Sequence, residues 1–146
     1  MNYILPKDFA EQIYVVAHMG EQYIINGIRN LGLNVDQATL IKFVGANPGS
    51  RQKEICTALN RQAATVSNMI KRLEEKNLII RRTDPNNSRE KQVFLLPEGT
   101  AMINDILQVA QDLEVLVTPC RIGDSGVDIR QFYEILLPYV SGKGEK

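Results

Sequence analysis

The residues of this chain that could do chemistry are concentrated in one basic segment, residues 51–91. It holds ten lysines and arginines against five acidic residues, a net charge of +5, whereas the rest of the chain carries −5. A basic segment in an acidic frame is typical of a contact with nucleic-acid phosphates. Chance clustering on a solvated surface would give the same pattern, so charge alone leaves both interpretations open.

A helix predicted over residues 63–76 has one apolar and one polar face. Val66, Ile70 and Leu73 recur at helical spacing and would hold it to a core. Gln and Asn side chains can pair with adenine, Ser and Thr can bond base edges or phosphates, and alanines permit close approach. The candidate DNA contacts on the polar face are Gln62, Ala63, Ala64, Thr65, Ser67, Asn68, Lys71 and Arg72.

A shorter helix predicted over residues 51–59 precedes it after a three-residue break, which is the helix-turn-helix pattern. Arg51 and Gln52 at its start are candidate contacts to the phosphate backbone. Ser50 is the predicted N-cap of this helix, and Asp36 that of the helix before it.

Two predicted strands, residues 78–83 and 92–96, enclose an eight-residue polar tip, residues 84–91. Arg89 in this tip could enter a minor groove, where the potential is negative. The other candidate DNA contacts of the hairpin are Arg81, Arg82, Asn87, Ser88 and Lys91. The order of elements predicts a mainly α fold with a small β-hairpin, a winged helix-turn-helix with extra N- and C-terminal dimerisation helices.

Long helices predicted on both sides of this core indicate a homodimer. The first helix carries more apolar surface than a single face needs, which is typical of an element that also packs on a partner chain. We predict one winged-helix domain over residues 1–146, with a DNA-binding core at 35–100 and dimerisation helices at 1–31 and 101–146. The last of these helices is predicted around residues 129–139.

Few other residues could bind or react. Tyr14, His18 and Tyr23 could line an effector pocket, although packing in the dimer is the favoured role for them. Cys56 falls on an apolar helix face and is expected to behave as a small hydrophobic residue. Cys120 is a candidate for redox sensing if it is exposed.

Several classes of protein are disfavoured by what the sequence does not contain. No metal-ligand spacing, nucleophile–base set or phosphate loop is present, so we predict no metal, no cofactor and no enzymatic activity. No apolar run is long enough for a membrane span, and no signal peptide is recognisable. The expected location is therefore the cytoplasm.

The motifs of the core resemble the MarR family of transcription regulators. The matching segments are residues 54–59, 64–74 and 78–79, the wing pattern of residues 84–89, and Gly99. The resemblance implies a triangular homodimer on pseudo-palindromic double-stranded DNA, often released by a small phenolic or other effector, here aromatic or anionic. Some positions depart from the family pattern: Asn87 replaces an acidic residue that orients the wing arginine, and Asn77 replaces a glycine. Leu96 and Pro97 stand where a threonine and a polar residue are common.

These observations predict a sequence-specific DNA-binding regulator, a homodimeric repressor released by a small molecule. A thiol-based redox regulator on the same scaffold is one alternative, and it would depend on Cys120. A winged-helix protein–protein adaptor is the other, and the charge of the basic segment argues against it.

Overall fold

The computed structural model describes residues 6–118, and five helices and three strands follow one another within that range. The elements are α1 (Phe9–Asn30), α2 (Val35–Ala46), β1 (Ser50–Arg51), α3 (Gln52–Leu59), α4 (Ala63–Glu75), β2 (Ile79–Asp84), β3 (Asn87–Leu95) and α5 (Pro97–Val117). A mainly helical fold with one small antiparallel sheet confirms the predicted winged-helix class.

The chain divides into a compact unit up to Glu114 and a second unit that begins at Val115. Of the second unit only residues 115–118 are described. The helix predicted around residues 129–139 lies outside the described residues, and so does Cys120. The assignment of residues 1–146 to a single domain stays a prediction.

Helices α1, α3 and α4 end in the same way, with one residue in the left-handed conformation. These residues are Gly32, Asn60 and Asn77, with φ of 77°, 50° and 58°. The two backbone hydrogen bonds of a Schellman motif close each end; the N–H of Asn77, for example, donates to the carbonyl of Glu74 at 2.9 Å. Glycine and asparagine are the residues that adopt this conformation at least cost, which is why the helices end where they do.

Both predicted N-caps are wrong. Helix α2 is capped by Asn34, whose Oδ1 accepts the N–H of Gln37 at 2.8 Å while the Gln37 side chain accepts the N–H of Asn34 at 2.9 Å. This capping box satisfies two backbone donors, whereas Asp36 at the same end could satisfy only one. Ser50 belongs to strand β1, and Arg51 is the N-cap residue of α3.

The sheet has the order β1-β3-β2, and its hairpin is longer than predicted. Asp84 pairs with Asn87, so only Pro85 and Asn86 form the turn, and the predicted eight-residue tip is wrong. The turn is closed by the Asp84 carboxylate, which accepts the N–H of Asn86 at 2.8 Å. A register shift after Thr83 leaves residues 88–90 without ladder partners, as in a β-bulge.

The core lies between α2, α3, α4 and the sheet. Its fully buried side chains are Leu40, Ile41, Val44, Ile55, Val66, Ile70, Leu73, Ile79 and Val93. Helix α1 adds Ile28, and α5 adds Ile106 and Val109. Helices α1 and α5 approach each other closely at Gly27, where an added methyl group would overlap the Val109 side chain.

Helix α1 leaves much of its apolar surface uncovered by the described residues. Its exposed large hydrophobic side chains are Phe9, Tyr14, Val16, Met19 and Tyr23. None of the helices in the described range combines the length and the hydropathy that a membrane crossing requires.

Candidate nucleic-acid interface

Helix α4 has the two faces that its sequence predicts. Val66, Met69, Ile70 and Leu73 are buried in the core. The predicted contacts on the other face are all exposed except Ser67, which is half-buried; the exposed ones are Gln62, Ala63, Ala64, Thr65, Asn68, Lys71 and Arg72. Because a helix fits the major groove of B-DNA, this face can present amides and hydroxyls to base edges and cations to phosphates.

The helix-turn-helix is tied together by Gln52. Its side-chain amide donates to the carbonyl of Ala63 at 3.1 Å, which joins the first turn of α3 to the first residue of α4. This bond uses one of the amide's two donor hydrogens. Gln52 therefore helps to hold the exposed face in place, and its contact with DNA phosphate stays a prediction.

The guanidinium of Arg51 is held by two carboxylates of the hairpin. Its Nη2 lies 2.7 Å from Oδ2 of Asp84, and its Nε lies 2.9 Å from Oε2 of Glu90. These carboxylates raise the pKa of Arg51 above its ordinary value. The hydrogen bond from the N–H of Asn86 and the Arg51 guanidinium lower the pKa of Asp84. The sequence predicted that Arg51 contacts phosphate, but in the free protein its hydrogen-bond donors face acidic side chains.

Arg81 is also paired. Its Nη2 and Nε lie 2.7 Å and 3.0 Å from the two carboxylate oxygens of Glu74, and its backbone N–H donates to the same group at 3.2 Å. The hydrogen bond with Arg81 lowers the pKa of Glu74. A bidentate pair of this kind joins the last turn of α4 to strand β2. Its neighbour Arg82 places its guanidinium 5.5 Å from the ring centroid of Phe94 and has no carboxylate partner among the described residues.

The wing tip presents Arg89 to solvent. Its guanidinium has no hydrogen-bond or ion-pair partner within residues 6–118, and Ser88 and Lys91 beside it are exposed. Asn87 accepts the backbone N–H of Arg89 at 3.1 Å, so this side chain fixes the backbone of the wing and not the guanidinium. The free guanidinium is available for a DNA groove or phosphate.

The wing and the two helices enclose a cavity of about 340 Å³. Basic side chains from β1, α3, β2 and β3 converge there; those that line it are Arg51, Lys53, Arg81, Arg89 and Lys91. Lys53 was not among the predicted DNA contacts, because it belongs to no motif that is recognisable in the sequence. The structure brings this set together, while Thr65, Asn68 and Arg72 line a separate groove beside the start of α2.

Carboxylates neutralise three of the ten basic side chains of residues 51–91. Besides Arg51 and Arg81, Arg61 forms a bidentate pair with Asp36 at 2.8 Å and 3.2 Å, which raises the pKa of Arg61. Within the described residues the seven without a carboxylate partner are Lys53, Lys71, Arg72, Lys76, Arg82, Arg89 and Lys91. One of them, Lys76, donates to the carbonyl of Gly32. The sequence could not show which arginines are paired, because their partners lie far away along the chain or in the hairpin.

The three candidate effector-pocket residues do not meet in one cavity. Tyr14 and His18 stack with ring centroids 6.5 Å apart on an exposed part of α1. Tyr23 lies farther along and lines a cavity of about 360 Å³ between α1 and α5, together with Asn26, Asn30, Val109 and Asp112. The structure therefore separates the stacked pair from Tyr23.

The other reactive groups take no part in this surface. Cys56 is half-buried and packs against the core, as its position on the apolar face of α3 predicts. Among residues 6–118, no group of three His, Cys, Asp or Glu side chains is arranged to hold a metal ion.

Comparison with known proteins agrees with this geometry. Residues 33–91 match the sequence model of the MarR family. A protein of Thauera aromatica described as a putative transcriptional regulatory protein for the hcr operon is 28% identical over 69 residues, which cover 47% of this chain. The matched segment spans 42% of that relative's own length.

Solved structures share the fold over most of the chain. MepR of Staphylococcus aureus in complex with DNA superposes with a TM-score of 0.72 at 21% identity, covering 94% of this chain and 99% of MepR. MepR bound to ethidium bromide gives 0.63, with coverages of 94% and 97%. A mutant of MarR from E. coli gives 0.70 at 21% identity, with coverages of 94% and 100%. At this identity the likeness shows the fold.

The order of the elements and the sheet topology define a winged helix-turn-helix. The match over residues 33–91 covers α2, both helices of the helix-turn-helix and most of the wing, and it confirms the resemblance seen in the sequence. Residues 33–91 are thus similar to the MarR family of winged-helix transcription regulators, and the solved MarR and MepR structures share the fold.

Proposed function

We propose that this chain is a sequence-specific DNA-binding repressor that acts as a homodimer and is released by a small-molecule effector. The observation that carries the proposal is the surface formed by α4 and the wing. It combines exposed amides and hydroxyls with basic side chains that no carboxylate neutralises. Such a surface suits both phosphate binding and base readout.

On DNA, α4 enters the major groove with Asn68, Thr65 and Gln62 toward the bases. Lys71 and Arg72 bind phosphates, and Arg89 reaches the adjacent minor groove. MepR, which shares the fold, has been solved in complex with DNA, and this supports DNA as the ligand.

The dimer brings two such surfaces to one duplex. Its interface would be built from α1 and the C-terminal part of the chain, since α1 exposes several large hydrophobic side chains. A two-fold dimer reads two half-sites about one helical turn apart, so the operator is expected to be pseudo-palindromic.

An effector would bind in the cavity between α1 and α5. Its volume of about 360 Å³ is suited to a small ring compound. The Asp112 carboxylate on its wall favours a neutral or cationic aromatic molecule over an anion. MepR has been solved with the cationic aromatic compound ethidium bromide, which supports an effector of this kind. A cytoplasmic location is part of the same prediction.

The test is selection of duplexes from a randomised library, followed by binding measurements on variants. Asn68→Ala is expected to lose preference for the selected sequence by a factor equivalent to about 1–3 kcal/mol, because it removes a base contact. Lys71→Ala is expected to weaken selected and scrambled duplexes alike.

Lys42→Ala is the matched control, because Lys42 is an exposed lysine on α2 that lines none of the cavities described here. Its affinity for both duplexes should equal that of the parent. If the library yields no enriched sequence and the protein binds no duplex at low salt, the adaptor alternative replaces this proposal.

A further inference from the structure

Arg51 stands at the junction of the helix-turn-helix and the wing. It is the last residue of β1, where it pairs with Gln92 of β3, and it is also the N-cap residue of α3. Its backbone N–H donates to the carboxylate of Glu54 at 2.7 Å, which completes the first turn of that helix. The backbone of Arg51 is thus fixed on both sides.

The side chain of Arg51 reaches both strands of the hairpin near the tip. Asp84 is the last residue of β2, and Glu90 lies in the irregular part of β3. The guanidinium contacts one carboxylate through Nη2 and the other through Nε, at 2.7 Å and 2.9 Å. It therefore ties the start of α3 to the two strands at once.

The hairpin needs such a tie at this point, because the sheet ladder is interrupted there. Residues 88–90 have no ladder partners, so backbone hydrogen bonds alone do not fix where the tip points. Asp84 is 3% exposed and holds the turn through Asn86, so the loss of its cationic partner would leave a buried carboxylate without charge compensation.

We propose that Arg51 is a positioning residue that fixes the wing, and with it Arg89, relative to α3, and that it does not bind phosphate itself. The role in DNA binding rests on the proposed function, whereas the role in fixing the wing does not. To bind a phosphate with the Nη2 and Nε groups, the Arg51 guanidinium would have to give up both Asp84 and Glu90, and Asp84 is buried. Lys53, Arg89 and Lys91 around the same cavity have no such partner and are the phosphate ligands there.

The first test needs no DNA and measures hydrogen–deuterium exchange of the segment 83–92. In Arg51→Ala the amides of the tip are expected to exchange on the order of tenfold faster, while α4 exchanges as in the parent. Arg51→Lys keeps the charge but cannot bridge both carboxylates, and should fall between the two. Arg61→Ala, which removes another arginine–carboxylate pair outside the wing, should leave segment 83–92 unchanged. Unchanged exchange in Arg51→Ala, with normal folding by circular dichroism, would overturn the proposal.

The second test is a double-mutant cycle on the library-selected duplex. If Arg51 acts through the wing, Arg51→Ala weakens binding by no more than Arg89→Ala, and the double variant binds like Arg89→Ala alone. Asp84→Asn should weaken binding in the same way. Additive losses, together with tighter binding of Asp84→Asn, would mean that Arg51 is a phosphate ligand restrained by Asp84. A parent that binds no duplex would contradict the proposed function, and the exchange experiment would still decide the structural role of Arg51.

Discussion

Paired and unpaired arginines have different roles in this molecule. Arg51, Arg61 and Arg81 each contact a carboxylate at 2.7–2.8 Å, and these pairs join different elements of the winged helix. Arg89 has no such partner within the described residues and faces solvent. Under the proposed function, the paired arginines organise the surface formed by α4 and the wing, and the unpaired basic side chains supply its charge.

The arginine–carboxylate pairs predict an acid-sensitive wing. Bonding to Arg81 lowers the pKa of Glu74, and bonding to Asn86 and Arg51 lowers that of Asp84. A carboxylate whose pKa is lower in the folded than in the unfolded state contributes stability that is present above its unfolded pKa, about 4. This stability is lost as the pH falls through the folded pKa.

We therefore expect the melting temperature of the parent to decrease as the pH is lowered below about 4. The decrease should be smaller in Glu74→Gln, which has already lost the charge. Thermal unfolding followed by circular dichroism at pH 7 and at pH 3 measures the difference. Glu75→Gln, one residue farther on and exposed without an ion-pair partner in the described part, is the control. An equal loss in parent and Glu74→Gln would contradict the assignment.

The left-handed residue after α4 gives a second prediction. Asn77 has φ of 58°, and the family pattern has glycine at this position. Asn77→Gly should be at least as stable as the parent, whereas Asn77→Ala should lose about 1 kcal/mol or more of unfolding free energy, because alanine tolerates this conformation poorly. Urea denaturation of both variants provides the measurement. A more stable alanine variant would show that the helix end can rearrange.

At the scale of elements, the junction between the wing and α5 depends on a close approach. Gly99 in the first turn of α5 is buried, and a methyl group there would overlap the carbonyl oxygen of Leu78. That carbonyl accepts the N–H of Leu96 at 3.0 Å, so it cannot easily move. Glycine is needed at this position for space and not for an unusual φ.

Gly99→Ala should therefore destabilise the protein by roughly 1–3 kcal/mol, as overpacking does in other proteins. Glu98→Ala, at the exposed neighbouring position, should change the unfolding free energy by no more than about 1 kcal/mol, since it removes only a charge near a helix N-terminus. Urea unfolding of both variants measures the difference. Equal stability of Gly99→Ala and Glu98→Ala would show that α5 can shift away from the sheet.

The elements differ in how well they could be predicted from the sequence. Helix α4 was predictable because Val66, Ile70 and Leu73 repeat at helical spacing and an asparagine ends it. Strand β1 was not, since two residues show no period and form a strand only against β3. The hairpin was predicted too short because turn-forming and other polar residues fill 84–91, and only the bond from Asn86 to Asp84 shows where the chain turns.

The candidate site was predictable to a similar extent. Exposure of the outer face of α4 follows from the helical period, and so does the placement of Lys71 and Arg72. The pairing of Arg81 with Glu74 depends on how α4 packs against β2, and that of Arg51 on the register of the hairpin. Long-range pairing of this kind leaves no periodic signal in one sequence.

At the scale of the whole molecule, the uncovered surface of α1 predicts association. Tyr14 is 74% exposed and Val16 is 57% exposed, on opposite sides of α1, and the described residues leave both largely uncovered. Large hydrophobic side chains are costly to leave in water, so we expect a second copy of the chain to cover this surface of α1.

Val16→Asp should convert a dimer of twice 16.4 kDa into monomers at micromolar concentration, as measured by sedimentation equilibrium. Val35→Asp is the matched control. Val35 is exposed to a similar degree, but it is the first residue of α2, where an acidic side chain is favourable. A parent that sediments as a monomer, or a Val16→Asp variant that stays dimeric, would contradict this arrangement.

The central claim is that the surface formed by α4 and the wing binds DNA in a sequence-specific way, and the salt dependence of binding tests it most directly. The affinity of the dimer for a library-selected duplex and for a scrambled duplex would be measured over a range of salt concentrations. We predict tighter binding to the selected duplex, and a slope of log K against log salt of about −6 or steeper, since each neutralised phosphate contributes about −0.9. Equal affinity for both duplexes, or no binding even at low salt, would contradict the account.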